Sequence, residues 1–165
     1  MKNPRIIIVD DHKIFGEGFC SLLESNDYRV LRVFTDVKLA LNYINKKNKI
    51  DIIFSDINMP NINGLDFLKE IKKINSEIKV IMMSMYTNKK IINQAIKNNA
   101  DGYLSKNCSI DDLKNVISDC SENKKNFQTV LVEDLDEDLD DFSIKYKMTD
   151  REKEIIKHIL DQKSN

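Results

Sequence analysis

Four glycines and two prolines among 165 residues leave no room for a collagen-like or low-complexity chain. Cysteine is scarce as well. Cys20, Cys108 and Cys120 are odd in number and show no C-x-x-C spacing, which argues against both a disulfide framework and a zinc site. Long apolar runs are missing: the longest, Ile6 to Val9 and Val80 to Met83, fall far short of the roughly 20 residues a membrane helix needs. No membrane partner is expected. The opening Met-Lys-Asn-Pro-Arg runs straight into a strand-like segment without a signal-peptide pattern, so the expected location is cytoplasmic. Net charge is close to absent, with 26 basic and 27 acidic side chains giving −1. What is present is a globular composition, 41% apolar and 32% charged, at a length that suits one domain with a short appendage.

The charge is unevenly placed. Residues 133–141 read Glu-Asp-Leu-Asp-Glu-Asp-Leu-Asp-Asp, a self-repelling block of the kind that forms extended linkers. We therefore expect a domain over 1–125, an acidic linker over 126–147 and a helical fragment over 148–165. No internal repeat is visible.

Ahead of the linker, short apolar runs alternate with helical patterns. The runs are Arg5 to Asp10, Tyr28 to Phe34, Asp51 to Asp56, Ile78 to Ser84 and a weak one at Gly102 to Ser105. The first, third and fourth are apolar on both faces, as strands buried between two helix layers must be. Between and after them lie helical spacings: Phe15, Phe19, Leu22; Val37, Ala40, Leu41, Ile44; Leu65, Leu68, Ile71; Ile92, Ala95, Ile96; and Leu113, Val116, Ile117, Cys120. Asn63 ahead of Leu65, and Ser109 with Asp112 three residues on, are helix-start signals. Five strand–helix repeats predict an open, doubly wound parallel α/β sheet.

In such sheets the ligand site lies at the carboxyl ends of the strands. Strand one ends in Asp10-Asp11, strand three in Asp56, strand four in Ser84 and strand five in Lys106. Each residue alone has a plain reading as a solvated turn, a helix cap or surface. Together they place three carboxylates, a hydroxyl and an ammonium on one rim. Carboxylates so crowded ionise cheaply only around a cation, and an all-oxygen set with few protein ligands fits Mg²⁺.

Asp10-Asp11-His12, Asp56-Ile-Asn-Met-Pro60, Ser84-Met85-Tyr86 and Gly102-Tyr-Leu-Ser-Lys106 resemble the receiver domain of two-component response regulators, over roughly residues 4–125. Asp-Asp-His and Ser-Met-Tyr-Thr are similar to the NarL/FixJ group, which joins a receiver to a LuxR-type helix-turn-helix. The resemblance implies a flavodoxin-like (βα)5 fold with strand order 2-1-3-4-5. It implies that Asp56 accepts a phosphoryl group from a sensor histidine kinase, and that Asp11, Asp56 and the Asn58 backbone carbonyl ligate Mg²⁺, with Asp10 acting through water. Lys106 would pair with the phosphoryl oxygens, while Ser84 and Tyr103 would act as switch residues. Homodimers on phosphorylation are a further implication, and DNA would be a partner only of the full-length protein. Besides Ser84, which replaces the more frequent Thr and keeps the hydroxyl, two departures from the family pattern stand out. Asn99 precedes Ala100 where the family has Gly, yet Asn tolerates the left-handed conformation of a helix C-cap. Asn107 follows Lys106 where Pro is common, which removes the usual reason for a cis peptide.

Other residues read plainly. His12 is expected to start the first helix, His158 to face solvent, and Met82, Met83 and Met85 to fill core. Gly16 and Gly18 lack the third glycine of a dinucleotide fingerprint. Thr149 and Glu152 have capping-box spacing ahead of Ile155, Ile156, Ile159 and Leu160, resembling the opening of a LuxR-type domain. No recognition helix and no concentrated basic patch follows, so this chain is not expected to bind DNA specifically. The expectation is a signalling phosphoacceptor and not an enzyme. A haloacid-dehalogenase-type phosphatase is a competing reading, but it would need Asp where Asn58 stands. A phosphorylation-independent interaction module is the other.

Overall fold

The computed structural model describes residues 3–46, 48–85 and 89–127. Five strands alternate with five helices: β1 (Arg5–Val9), α1 (Lys13–Glu24), β2 (Arg29–Phe34), α2 (Val37–Asn45), β3 (Ile52–Asp56), α3 (Gly64–Ile74), β4 (Lys79–Ser84), α4 (Lys89–Lys97), β5 (Gly102–Ser105) and α5 (Ile110–Ser121). All neighbouring strands pair in parallel, in the order β2-β1-β3-β4-β5. This is the flavodoxin-like order. The C-terminal helical fragment, His158, Tyr86 and the linker beyond Phe127 lie outside the described residues.

Alternation along the strands sorts the core into two layers. Ile7 and Val9 join a cluster with α2, α3 and α4, whereas Ile6 and Ile8 pack against Phe19, Leu23 and α5. The central strands are buried on both faces, as their unbroken apolar runs require. At α1 the buried side chain is Leu23, four residues after Phe19, and Leu22 is left exposed. Ile96 is likewise exposed while Ile92 and Ala95 are buried.

The start signals work as read. The Asn63 side chain accepts from the Asp66 amide at 2.9 Å, and Ser109 with Asp112 forms a reciprocal capping box. Asn99 has φ 63°, with the Ala100 amide returning to the Ala95 carbonyl, so α4 ends in the left-handed cap anticipated for Asn. No helix among the described residues is long and apolar enough to cross a membrane.

At the rim where the strands begin, Asp51 ties three strands together. Its carboxylate accepts from the Arg5 amide at 2.7 Å and, in a fork, from Nε at 2.8 Å and Nη2 at 2.7 Å. Its own amide donates to the Arg5 carbonyl and its carbonyl accepts from Lys79. These hydrogen bonds from Arg5 hold the Asp51 carboxyl below the usual carboxylate range, against a smaller opposing effect of burial. A depressed folded-state pKa stabilises the fold above the unfolded value of about 3.9, and that gain disappears as pH falls through the folded value. Asp51→Asn is therefore expected to lower Tm at pH 7, with the deficit shrinking below about pH 4. Thermal melts of both proteins between pH 7 and pH 3 check this.

Candidate functional site

Strand register brings the polar residues to the opposite rim. Val9 lies beside Ser55 and Asp56 beside Met83, so Asp10 and Asp56 end adjacent strands. Ser84 lies beside Ser105, one residue before Lys106. Backbone hydrogen bonds carry this order past the strand ends: Asp10 N–H to Phe34 at 3.0 Å, Ile57 N–H to Met83 at 3.1 Å, and Lys106 N–H to Ser84 at 2.8 Å. The acceptors lie on the neighbouring strands, which fixes each polar side chain by register before it makes any contact of its own.

The Lys106 ammonium sits between two carboxylates, 2.7 Å from Asp10 Oδ2 and 3.0 Å from Asp56 Oδ2. All three side chains are nearly inaccessible to water. The ammonium also lies 4.5 Å from the centre of the Phe15 ring, a cation–π contact that seats it against α1. Asp56 Oδ1 accepts from the Ile57 amide at 2.8 Å, and Asp10 Oδ1 accepts from the His12 amide at 2.9 Å. Burial lifts the Asp56 carboxyl above the usual range; the Lys106 charge and hydrogen bond pull it back and the Asp10 charge raises it further.

The remaining donors fit a cation. Single ligand atoms of Asp10, Asp11, His12 and Asp56 lie within 4.8 Å of one another. Two buried oxygens in this group, Asp10 Oδ2 and Asp11 Oδ1, accept no hydrogen bond among the described residues. The first nevertheless has the lysine charge beside it, whereas Asp11 Oδ1 has only the exposed His12 ring, with Nδ1 at 3.2 Å. A buried carboxylate oxygen without a donor is costly unless a cation approaches it. Asn58 lies in the loop two residues beyond Asp56 and is exposed.

Ser84 and Tyr103 are both buried, and the Ser84 hydroxyl hydrogen-bonds the Tyr103 phenol. Burial raises the phenol's pKa, an effect that the Ser84 contact offsets in part and the Asp56 charge reinforces. The structure thus brings Asp10, Asp11, Asp56, Lys106 and the Ser84–Tyr103 pair to one rim. His12 starts α1 as expected, but its side chain makes no capping hydrogen bond. Its Nδ1 instead faces the acids, 3.2 Å from Asp11 Oδ1 and 3.9 Å from Asp56 Oδ2, while the ring stays 67% exposed. Met82 and Met83 are core, whereas Met85 is exposed.

The response regulator receiver domain model matches residues 6–118. The chain belongs to that family. The receiver domain has relatives at moderate identity. Transcriptional regulatory protein DegU of Brevibacillus brevis is 31% identical over 110 residues, covering 66% of this chain and 46% of its own length. Transcriptional regulatory protein DesR of Bacillus subtilis (strain 168) is 29% identical over 160 residues, or 96% of this chain and 76% of its own. The isolated REC domain of RcsB from Salmonella enterica serovar Typhimurium, solved with the phosphomimetic BeF3-, has a TM-score of 0.70 at 25% identity. That match covers 78% of this chain and 96% of the RcsB one. The chain spans about half the length of several of the curated relatives it matches.

One receiver residue escaped sequence reasoning. Gly64 looks like an ordinary turn residue beside Asn63, yet a Cβ there would overlap the Asp56 carbonyl oxygen and lie 2.8 Å from the Ile57 Cα. The atoms met are all backbone of Asp56 and Ile57, which leaves nothing to yield. Gly64→Ala is expected to cost at least about 3 kcal/mol, the upper end for overpacking, as read by urea denaturation. Asp56→Asn has the opposite sign. It removes a carboxylate whose charged form burial disfavours, so Tm should rise at pH 7 in chelator-containing buffer. That advantage should shrink as pH falls through the raised folded pKa and vanish below about 3.9, the unfolded value.

Proposed function

We propose that this receiver is the Mg²⁺-dependent phosphoacceptor of a two-component response regulator, with Asp56 as the acceptor. The observation that carries the reading is the Lys106 ammonium held between Asp10 and Asp56 in a water-poor rim, with an Asp11 oxygen beside it that accepts no hydrogen bond among the described residues. Phosphoryl transfer needs positioning and charge neutralisation more than covalent chemistry from the protein. Asp11, Asp56 and the Asn58 carbonyl would hold Mg²⁺, with Asp10 acting through water, and the ion supplies neutralisation of charge on the transferred group.

The remaining work falls to the chain itself. An oxygen of Asp56 attacks the donor phosphorus, forming an O–P bond as the P–N bond of a kinase phosphohistidine breaks. The electron pair leaves with the imidazole nitrogen. Lys106, already 3.0 Å from Asp56 Oδ2, meets the incoming oxygens. Ser84 can donate to those oxygens, and its bond to Tyr103 makes the phenol responsive to that change. The acyl phosphate carries nearly two negative charges where the carboxylate carried one.

The family resemblance and the names of the relatives support a role in transcription for the longer protein, with a sensor histidine kinase as donor and a homodimer as the active form. RcsB dimers have been solved on DNA. The segment 148–165 would begin the LuxR-type domain, and 126–147 would link it. An interaction module that works without phosphorylation would need none of the buried charge assembled here.

With Mg²⁺ and acetyl phosphate, the protein is expected to gain the mass of one phosphoryl group. Asp56→Asn should abolish the gain, and Lys106→Ala should slow it by about 100-fold or more, the effect of losing one pre-positioned electrostatic group. Intact-mass spectrometry over time reads all three. Labelling of Asp56→Asn at the normal level would refute the assignment, and steady hydrolysis of a phosphomonoester by the wild type would favour the phosphatase reading.

A further inference from the structure

The polypeptide does not leave the domain where α5 ends. Asn123 turns with φ 62°, its amide closing on the Cys120 carbonyl at 3.1 Å, and the Lys124 amide returns to Asp119 at 2.8 Å. From there the backbone runs along the open edge of β5, the outermost strand of the sheet. Asn126 forms a parallel bridge with Gly102. Its N–H donates to the Asp101 carbonyl at 3.0 Å and its carbonyl accepts from the Tyr103 amide at 3.0 Å. The side-chain amide donates to Asp119 Oδ2 at 2.6 Å, and the residue is buried. Phe127 then packs, half-buried, on the apolar cluster that includes Tyr103, Ile92 and Ala95.

The landing site is shaped for this visitor. A Cβ on Gly102 would lie 3.1 Å from the Asn126 carbonyl oxygen and 2.8 Å from Val116 Cγ2, so a larger residue would crowd both the segment and α5. Asp101, whose carbonyl receives the Asn126 amide, is itself fixed by Lys72 at 2.6 Å and by the Val80 amide at 2.9 Å. One end of the arrangement is therefore rigid. The other end is not independent of the acidic rim: Tyr103 holds the segment through its amide, and its phenol bonds Ser84. Lys106 comes directly after the last residue of the same strand.

We propose that residues 124–127 form a strap whose docking on β5 is coupled through Tyr103 to occupancy of the Asp56 site, so that the state of the rim sets how firmly the chain beyond residue 127 is held to the domain. The inference rests on the phosphoacceptor reading. A single bridged residue and one half-buried ring belong to the weakly held end of a structure, where a modest bias moves the population. In the structure, Tyr103 is fully buried and the strap is docked at the same time. Loading the site, which favours Tyr103 inward through Ser84, therefore favours the docked strap. Coupling is reciprocal: loosening the strap weakens ligand binding at the rim by the same factor.

Amide hydrogen exchange on the full 165-residue chain, with and without Mg²⁺ and beryllofluoride, tests the coupling. The Asn126 and Tyr103 amides should slow by about fivefold or more beyond any change at β2, which lies on the opposite edge and reports general stabilisation. Phe127→Ala should weaken beryllofluoride binding by a similar factor. Asn126→Ala, which keeps the backbone bridge and loses the Asp119 contact, should do so less. A bound ¹⁹F signal with both amides changing no more than β2, or with affinity unaltered in both variants, overturns the strap. Absence of any bound ¹⁹F signal overturns the phosphoacceptor reading itself, and the strap coupling with it.

Discussion

One ammonium holds the ends of three strands together. Lys106, at the end of β5, reaches Asp10 at the end of β1 and Asp56 at the end of β3, with all three side chains shut away from water. Such a cluster does little for stability on its own, because the cost of burying the charges offsets much of their attraction. Its consequence is positional. An unpaired member would be expensive, so the three strand ends keep their register, and every other group on the rim is placed relative to that triangle. Phe15 takes part too, since its ring makes a cation–π contact with the same ammonium.

The charge balance of the rim explains why it waits for something more. With Asp10, Asp11 and Asp56 ionised and Lys106 protonated, the sum is −2, which one divalent cation cancels. On the phosphoacceptor reading, phosphorylation of Asp56 would add nearly one further negative charge. In a water-poor site that addition would be met by movement of nearby donors, among them the Ser84 hydroxyl, which is already engaged with Tyr103. Tyr103 belongs to the apolar cluster under α4 while its backbone belongs to the edge strand. On that reading, one residue would connect the rim to both a helix face and a strand edge.

Much of this was legible in the primary structure, for a physical reason. Parallel strands buried on both faces must be apolar throughout, so the polar residue that ends each run is conspicuous, and Asp10, Asp56, Ser84 and Lys106 stand out on that basis. Caps are legible too, because Asn63, Ser109 and Asn99 act through bonds within a few residues of themselves. What depends on distant partners was not. The exchange of Leu22 for Leu23 at the α1 core turns on the exact crossing of α1 over β1. Gly64 matters because the Asp56 backbone passes close to it, and nothing in its local spacing says so. His12 was read correctly as a helix-start residue, yet the direction of its ring depends on the acids that the fold gathers beneath it. The bridge at Asn126 fell within a segment that composition alone marks as the approach to an acidic linker.

The two aspartates that flank β3 show how one fold separates stability from chemistry. Asp51 precedes the strand and Asp56 closes it, so both share a residue type, a strand and much of their surroundings. Arg5 meets the first with a full set of directed hydrogen bonds, and its carboxyl is held below the ordinary range. At the second, burial outweighs the contribution of Lys106, which Asp10 shares, and the carboxyl is held above it. A group whose ionisation has been fully compensated has no reason to react. One left under-compensated in a dry site is destabilised as a charge and is relieved by a cation or by esterification to phosphorus, which are the two events the phosphoacceptor reading requires. The strand-start rim thus carries the bond that favours the folded state, and the strand-end rim carries the cost. The opposite displacement of two identical side chains across five residues accords with the phosphoacceptor reading of the strand-end rim.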